Sequence, residues 1–329
     1  MFNDKVILIT GGTGSFGKAC TQALLTQYKP RKVIVFSRDE FKQFEMSKRF
    51  PTDKHPNLRY FLGDVRDKDR LHRAFNGVDY VIHAAAIKQV PAAEYNPIEA
   101  VRTNIMGAAN LIEAAIDQGV KRVVGLSTDK AVSPVNLYGA TKLCSDKLMV
   151  AGNVYSSDTR FSVVRYGNVM GSRGSVIPLF LSRRETGVLP VTDPEMTRFW
   201  ITLEDSVAFV LKAFERMGGG EIFVPKLPST RIGDLVKAIA PECKMQIIGV
   251  RPGEKIHESL IMTDENRNTL EFDDCYVILS PFSTWRSPEL TAPGVLVAPD
   301  FEYNSRTNPW VLNVEELREA IANLAPEGL

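Results

Sequence analysis

The chain has 329 residues, 44% hydrophobic and 24% charged, with 40 Lys and Arg against 39 Asp and Glu for a formal net charge of +1. That balance gives no support for nucleic acid or a bulk membrane surface as partner, and no apolar run nears the roughly 20 residues of a membrane span. Four histidines without ligand spacing predict no metal site, and four scattered cysteines (Cys20, Cys144, Cys243 and Cys275) predict reduced thiols in a cytoplasmic protein.

Met1-Phe2-Asn3-Asp4-Lys5 leaves no room for a signal peptide before the β-branched run Lys5 to Thr10. Gly11-Gly12-Thr13-Gly14-Ser15-Phe16-Gly17 follows at once, and a helix is predicted from Ser15 to Tyr28. A strand, a glycine turn and a helix make a dinucleotide-binding fingerprint, with the helix N-terminus facing phosphates. Its spacing is G-x-x-G-x-x-G, a departure that matches the extended short-chain dehydrogenase/reductase superfamily, which the chain resembles. The second strand, Lys32 to Phe36, ends in Ser37-Arg38-Asp39-Glu40. An acidic residue there suits the ribose of NAD and an arginine the 2′-phosphate of NADP; Ser37 and Arg38 lean towards NADP, while Asp39 and Glu40 keep NAD open or simply begin a helix.

A third strand, Arg59 to Leu62, leads to Gly63-Asp64-Val65, and a fourth, Asp79 to Ile82, to His83-Ala84-Ala85-Ala86, small residues that a dinucleotide can pass closely. His83 reads as a core histidine. Glu99 to Gln118 has the apolar period of one long helix, with Asn104 in the core placed to bond a neighbouring strand and Gly119 at its end. A fifth strand, Arg122 to Leu126, stops at Ser127-Thr128-Asp129-Lys130, and a helix from Asn136 to about Ala151 carries Tyr138 and Lys142 one turn apart on one face. An ammonium beside a phenol is expected to lower the phenol's pKa, which makes the two a proton-transfer pair.

Past Arg160, a sixth strand (Phe161 to Tyr166) reaches a glycine-rich loop, Gly167 to Pro178, whose amide, arginine and hydroxyls can cradle a sugar diphosphate. The later predictions are a strand over Thr197 to Ile201, a helix over Leu203 to Met217, a strand over Glu221 to Val224, a helix over Ser229 to Ala240 and a strand over Met245 to Val250. Arg251-Pro252-Gly253-Glu254-Lys255 forms a turn; from Phe282 the tail, with Trp285 and Trp310, wraps the outside and ends in a helix over Glu315 to Leu324. Strands alternating with helices predict an α/β, doubly wound parallel sheet of Rossmann type with a smaller C-terminal lobe. The expected division is a dinucleotide-binding domain over 1–167, with late elements returning at about 197–225, and a substrate lobe and wrap over 168–329.

Taken with GDVRD, HAAAIKQVP, LSTDKA, NLYGATKL, RYGNVMGSRGSVIP, MTRFW, RPGEK and APDFEY, the chain resembles, nearly end to end, the inverting UDP-N-acetylglucosamine 4,6-dehydratases that open pseudaminic acid biosynthesis and flagellin glycosylation. A related branch of CapD-like polysaccharide biosynthesis proteins serves capsule and O-antigen. The resemblance implies bound NADP, UDP-N-acetylglucosamine as substrate, and a homo-oligomer, hexameric in the family. It implies a catalytic set of Thr128, Asp129, Lys130, Tyr138 and Lys142. Tyr138 is the base at the C4 hydroxyl, Thr128 donates to the same oxygen, and Asp129 and Lys130 are the acid and base of dehydration. Retaining relatives carry Asp-Glu at this dyad, so Lys130 points to inversion. As base Lys130 must be neutral, and burial beside Lys142 is expected to lower its pKa; the group that reprotonates C5 is Lys130, Tyr138 or a water. The cofactor would touch Gly11, Thr13, Gly14, Ser15, Phe16, Gly17, Ser37, Arg38, Asp39, Asp64, Val65, Ala84, Ala85, Ala86, Lys88, Tyr138, Lys142 and Val169. The substrate would touch Lys88, Asn168, Arg173, Gly174, Ser175, Val176, Thr192, Arg251 and Glu254. The rivals are a retaining 4,6-dehydratase or 4-epimerase on the same nucleotide sugar and, in another class, a non-catalytic NADP-sensing regulator.

Overall fold

A computed structural model describes residues 1–281 and 293–324. Six runs rich in β-branched or aromatic residues form parallel strands: β1 (Val6–Thr10), β2 (Lys32–Ser37), β3 (Leu58–Leu62), β4 (Tyr80–His83), β5 (Arg122–Thr128) and β6 (Arg160–Tyr166), side by side in the order β3-β2-β1-β4-β5-β6. The reversal beside β1 is where open α/β sheets hold ligands. Every residue of β1 and β4 is buried, as a sheet covered on both faces requires. Ile222–Pro225 extends the sheet in parallel beyond β6, and Cys275–Ile278, Thr269–Glu271 and Val295–Leu296 complete ten strands in antiparallel sense. The helices Ser15–Gln27 and Leu203–Arg216 pack against each other, and Lys68–Ala74, Gly107–Asp117 and Leu137–Tyr155 pack in a second group. The predicted doubly wound α/β class is the one observed.

A second apolar cluster lies apart from the main core. It joins Ile177, Phe180, Leu189, Trp200, Leu235, Val236 and Leu317, carried by the helices Val176–Arg183, Ile232–Ile239 and Val314–Ala322 and the strands beside them. The final helix begins with a capping box between Asn313 and Glu316. Trp310 is half exposed, whereas Phe282 and Trp285 lie outside the described residues.

Three predicted elements differ from the structure. The long helix over 99–118 is broken into Pro97–Ala100, a π-helical stretch Val101–Met106 and Gly107–Asp117. The wide turn holds Asn104, whose amide accepts from Ile87 N and donates to Ile87 O and Thr141 Oγ1 at 2.8–2.9 Å. The helix predicted over 229–240 begins only at Ile232, because Ser229–Arg231 pairs with Thr197–Ile201 as a strand. The glycine-rich loop is shorter than expected: Ser175 is the cap of Val176–Arg183, where Pro178 falls in the first turn and no amide hydrogen is missed.

Candidate active site

A cleft of about 880 Å³ opens at the C-terminal ends of the parallel strands. Its floor is built by close backbone approach. Gly11 has a left-handed φ of +64°, and a Cβ there would stand 2.9 Å from the backbone of Ala84 and Ala85; a Cβ on Gly17 would stand 2.4 Å from Gly12. These glycines let the first helix start against the sheet, with Gly14 as its cap and free amides of its first turn directed to the cleft. Every residue the sequence assigns to the cofactor, from Gly11 to Val169, lines this cleft.

The end of β2 carries two cations, each near a carboxylate: Lys42 beside Asp39, and Arg38 3.7 Å from Asp64. Arg38 is exposed, and Lys42, which the sequence does not mark, joins Ser37 and Arg38 on the wall. Asp39 spends its carboxylate on its own helix: Oδ1 accepts from Lys42 N at 2.9 Å and Oδ2 pairs with Lys42 Nζ at 2.8 Å. The clue in the sequence was the i,i+3 spacing from a capping Asp, which folds Lys42 back towards the strand end.

At the end of β5, Asp129–Ala131 forms a single 3-10 turn capped by Thr128. Asp129 is fully buried. Its Oδ1 accepts from Thr128 Oγ1 at 2.8 Å and from Lys130 Nζ at 3.0 Å, while Oδ2 has no hydrogen-bond partner among the described residues. Thr128, Lys130, Tyr138 and Lys142 line the cleft; Asp129 sits behind them. The helix carrying Tyr138 and Lys142 lies directly on this turn because of Gly139, where a Cβ would stand 2.1 Å from the Lys130 carbonyl oxygen. Asn136 caps that helix through Gly139 N at 2.8 Å and donates to Gly253 O at 2.7 Å, which docks the Arg251–Lys255 turn at the helix start.

Two expected pKa shifts run the other way. Burial draws Lys130 down, but the carboxylates of Asp129 and Glu258 outweigh it, so its amine is held above the ordinary lysine value. Burial pushes the Tyr138 phenol up to about 12, against the charge of Lys130 and a hydrogen bond with Thr128. Lys142 is not among the charges that act on the phenol; burial lowers its own pKa, opposed by Asp146. Asp146 in turn accepts from Ser127 Oγ at 2.6 Å and lies 3.9 Å from Arg165. Behind the cleft, His83 is buried with Nδ1 2.8 Å from Thr10 Oγ1, a core histidine as expected.

Of the residues assigned to substrate, Lys88, Asn168, Arg173, Gly174 and Ser175 line the cleft. Asn168 Oδ1 and Ser175 Oγ are buried and without partners among the described residues, which leaves them free to bond a ligand. Val176, Thr192, Arg251 and Glu254 do not line it. Thr192 donates to Met196 Sδ at 3.1 Å, and Arg251 and Glu254 pair with each other at 2.8 Å. Besides Lys42, sequence reasoning missed Glu258, buried 3.8 Å from Lys130 Nζ; it is 128 positions away and nothing local marks it. No cluster of His, Cys, Asp and Glu among the described residues could hold a metal, and no described helix is long and apolar enough to cross a membrane.

Residues 7–280 match the family model for polysaccharide biosynthesis proteins. A UDP-N-acetylglucosamine 4,6-dehydratase (inverting) from Campylobacter jejuni is 55% identical over 98% of each chain. The chain belongs to this family, beside the inverting dehydratases. A UDP-glucose 4-epimerase from Rickettsia conorii is 42% identical over 98% of this chain and 97% of its own. Among solved structures, Pen from Bacillus thuringiensis is 41% identical, covers 98% of both chains and superposes with a TM-score of 0.90. DesIV from Streptomyces venezuelae, a dTDP-glucose 4,6-dehydratase solved with NAD and TYD bound, is 26% identical over 76% of this chain and 86% of its own, with a TM-score of 0.67.

Proposed function

We propose that this protein is an NADP-dependent, inverting UDP-N-acetylglucosamine 4,6-dehydratase, a lyase that opens pseudaminic acid biosynthesis in the cytoplasm. The observation that carries the reading is the Asp129–Lys130 pair, held at 3.0 Å with Asp129 buried and Lys130 on the wall of the cleft beside Tyr138 and Lys142. Tyr138 and Lys142 alone would suit a 4-epimerase equally well, whereas a carboxylate and amine sharing one proton suit elimination of water. A non-catalytic sensor has no use for either pair.

The cleft fits a dinucleotide through its glycine cradle and the open first turn of its helix. With Asp39 committed to Lys42, the basic edge of Ser37, Arg38 and Lys42 suits a 2′-phosphate better than a ribose diol. When bound, the nicotinamide supplies the redox chemistry, accepting the C4 hydride and giving it back at C6. Tyr138 takes the C4 hydroxyl proton, and Thr128 donates to the oxygen that becomes the ketone once its one O–H turns from Asp129 Oδ1. The high proton affinity of the buried phenol makes it a strong base once ionised, and the charge of Lys130 offsets part of the cost of that ionisation.

The 4-ketone acidifies C5–H. Moving one proton across the Asp129–Lys130 hydrogen bond turns an ion pair into a carboxylic acid and a neutral amine with no net change in charge. Lys130, which faces the cleft, then takes the C5 proton. Asp129 is walled off from the sugar, so its proton reaches the departing C6 hydroxyl through Lys130 or Thr128, both of which it hydrogen-bonds. Reprotonation of C5 on the opposite face inverts that centre. Asn168, Arg173 and Ser175, which line the cleft, bind the diphosphate and sugar in this reading, and Lys88 contacts both cofactor and substrate. Arg251 and Glu254 can reach the nucleotide if their ion pair opens on binding. The residues around the second apolar cluster form the substrate lobe, and the assembly is a homo-oligomer, hexameric as in the family.

The test is to incubate pure protein with UDP-N-acetylglucosamine in heavy water, with no added cofactor, and follow the sugar by NMR. An L-arabino 4-keto product deuterated at C5 is expected. A D-xylo product removes inversion, a C4 epimer without dehydration favours the epimerase, and no turnover of any UDP-sugar leaves only the sensor.

A further inference from the structure

Lys130 has a second carboxylate. Glu258, directly before the strand Ser259–Ile261, is 3% exposed, with Oε1 3.8 Å from Lys130 Nζ and Oε2 3.6 Å from Lys255 Nζ. Its backbone is fixed on both sides, since Glu258 N donates to Ser305 Oγ at 2.9 Å and Ser305 N to Glu258 O at 2.8 Å. The carboxylate itself is loosely held: Oε2 has no hydrogen-bond partner among the described residues. Lys255, the obvious counter-ion, directs its amine to Val132 O at 2.5 Å. A carboxylate that is buried, anchored by its backbone and aimed at an amine just beyond bonding distance is costly unless it does something there.

We propose that Glu258 is a positioning residue for the reaction: it shares the Lys130 amine with Asp129 and thereby sets the pH at which Lys130 gives up its proton. This rests on the reading of Lys130 as the group that exchanges protons with the sugar. The groups facing Lys130 are Asp129 on its own turn, Glu258, Arg198 from the strand Thr197–Ile201, Lys88 at the cleft mouth and Tyr138 on the overlying helix. Those facing Glu258 are Asp129, Lys130, Arg198 and Lys255, and burial together with the Asp129 charge raises its carboxyl above the usual range. Glu258 thus acts in two directions. As an anion it keeps Lys130 charged in the resting site. As a group of raised proton affinity it can accept a proton from Lys130 once Oε1 closes from 3.8 Å to hydrogen-bonding distance: the N–H bond breaks, an O–H bond forms on Glu258, and the nitrogen lone pair is freed for C5–H. Asp129 meets Lys130 through Oδ1, which also bonds Thr128; Glu258 brings a second carboxylate, whose Oε2 has no hydrogen-bond partner among the described residues and lies 3.6 Å from Lys255 Nζ.

The experiment measures Lys130 directly in substrate-free holoenzyme. Trace acetylation with acetic anhydride over a pH series, quantified peptide by peptide by mass spectrometry against exposed Lys54, gives the midpoint of Lys130. Glu258→Gln keeps the size and removes the charge; the midpoint should fall by roughly 1–3 pH units, the usual effect of losing one close opposite charge. The rising limb of the kcat–pH profile should move with it while KM stays within about threefold. A midpoint unmoved in Glu258→Gln overturns the proposal, whatever happens to the rate, because a merely structural glutamate would lower activity without shifting Lys130. Should that variant not fold, Glu258→Asp carries the test: drawing the carboxylate back by one methylene should lower the midpoint by about half a unit or more, and an unmoved value overturns the proposal equally. The labelling needs no substrate, so the measured midpoint stands even if the dehydratase reading fails.

Discussion

The cleft has two halves made in different ways. The cofactor half is built largely of backbone: glycines at 11, 12 and 17 that remove a Cβ where chains nearly touch, the open amides of one helix turn, and the small residues Ala84 to Ala86. The acid–base half is built of side chains from separate segments, with Asp129 and Lys130 after β5, Tyr138 and Lys142 on the next helix, and Glu258 far along the chain. A backbone cradle is a local property of one short segment and works wherever that segment folds. A charge network exists only once the whole chain has closed, and its proton affinities belong to the group rather than to any member.

The sharpest way to break the second half without touching a charge is Gly139→Ala. The added methyl would stand 2.1 Å from the Lys130 carbonyl, so the helix with Tyr138 and Lys142 must lift off the turn with Asp129 and Lys130. A loss of kcat of at least ~100-fold is expected, since an ångström of misplacement is enough for that; retention of bound dinucleotide, measured by absorbance after denaturation, would show that the first half survives. A change confined to the cofactor half should be milder. Lys42→Ala removes one cation from the edge at Ser37 and Arg38 and should weaken NADP by roughly tenfold relative to NAD, read by competition titration.

The smallest expected effect concerns the wall between the halves. Burial, then the charge of Lys142, holds His83 down to about 3. Unfolded, this histidine takes a proton near pH ~6.5; folded, it does not until near 3. The unfolded state therefore binds more protons between those values, and stability is lost as pH falls through that window, by at most about 1.4 kcal/mol per pH unit from this one group. Urea midpoints at pH 6.5 and 5 should converge in His83→Gln.

How much could be read in advance follows the same division. The glycine fingerprint, the strand ends and Tyr138–Lys142 all depend on short-range spacing, and the structure brings them together in one cleft as that spacing implies. Asn104 was expected to bond a neighbouring strand; it bonds the loop at Ile87 and the helix at Thr141 instead, and its π-helical turn was not foreseen, because the apolar period of 99–118 hardly changes when one turn widens. The strand Ser229–Arg231 was read as helix because its partner lies thirty residues earlier. The directions of the Lys130 and Tyr138 shifts were misjudged for a related reason. Spacing shows which charges are neighbours but not how they balance against burial: for Lys130 the carboxylates of Asp129 and then Glu258 outweigh burial, and for Tyr138 burial outweighs the nearby positive charge.

The central claim is that Tyr138 and Lys142 move hydride while Asp129 and Lys130 remove water. Lys130→Met, loaded with NADP and mixed with UDP-N-acetylglucosamine in heavy water, separates the two in one single-turnover measurement. Absorbance at 340 nm should rise and stay high as the C4 hydride is taken and not returned, with C5 remaining protonated in the quenched sugar. Dehydrated product deuterated at C5, formed at the rate of the parent enzyme, would contradict the account.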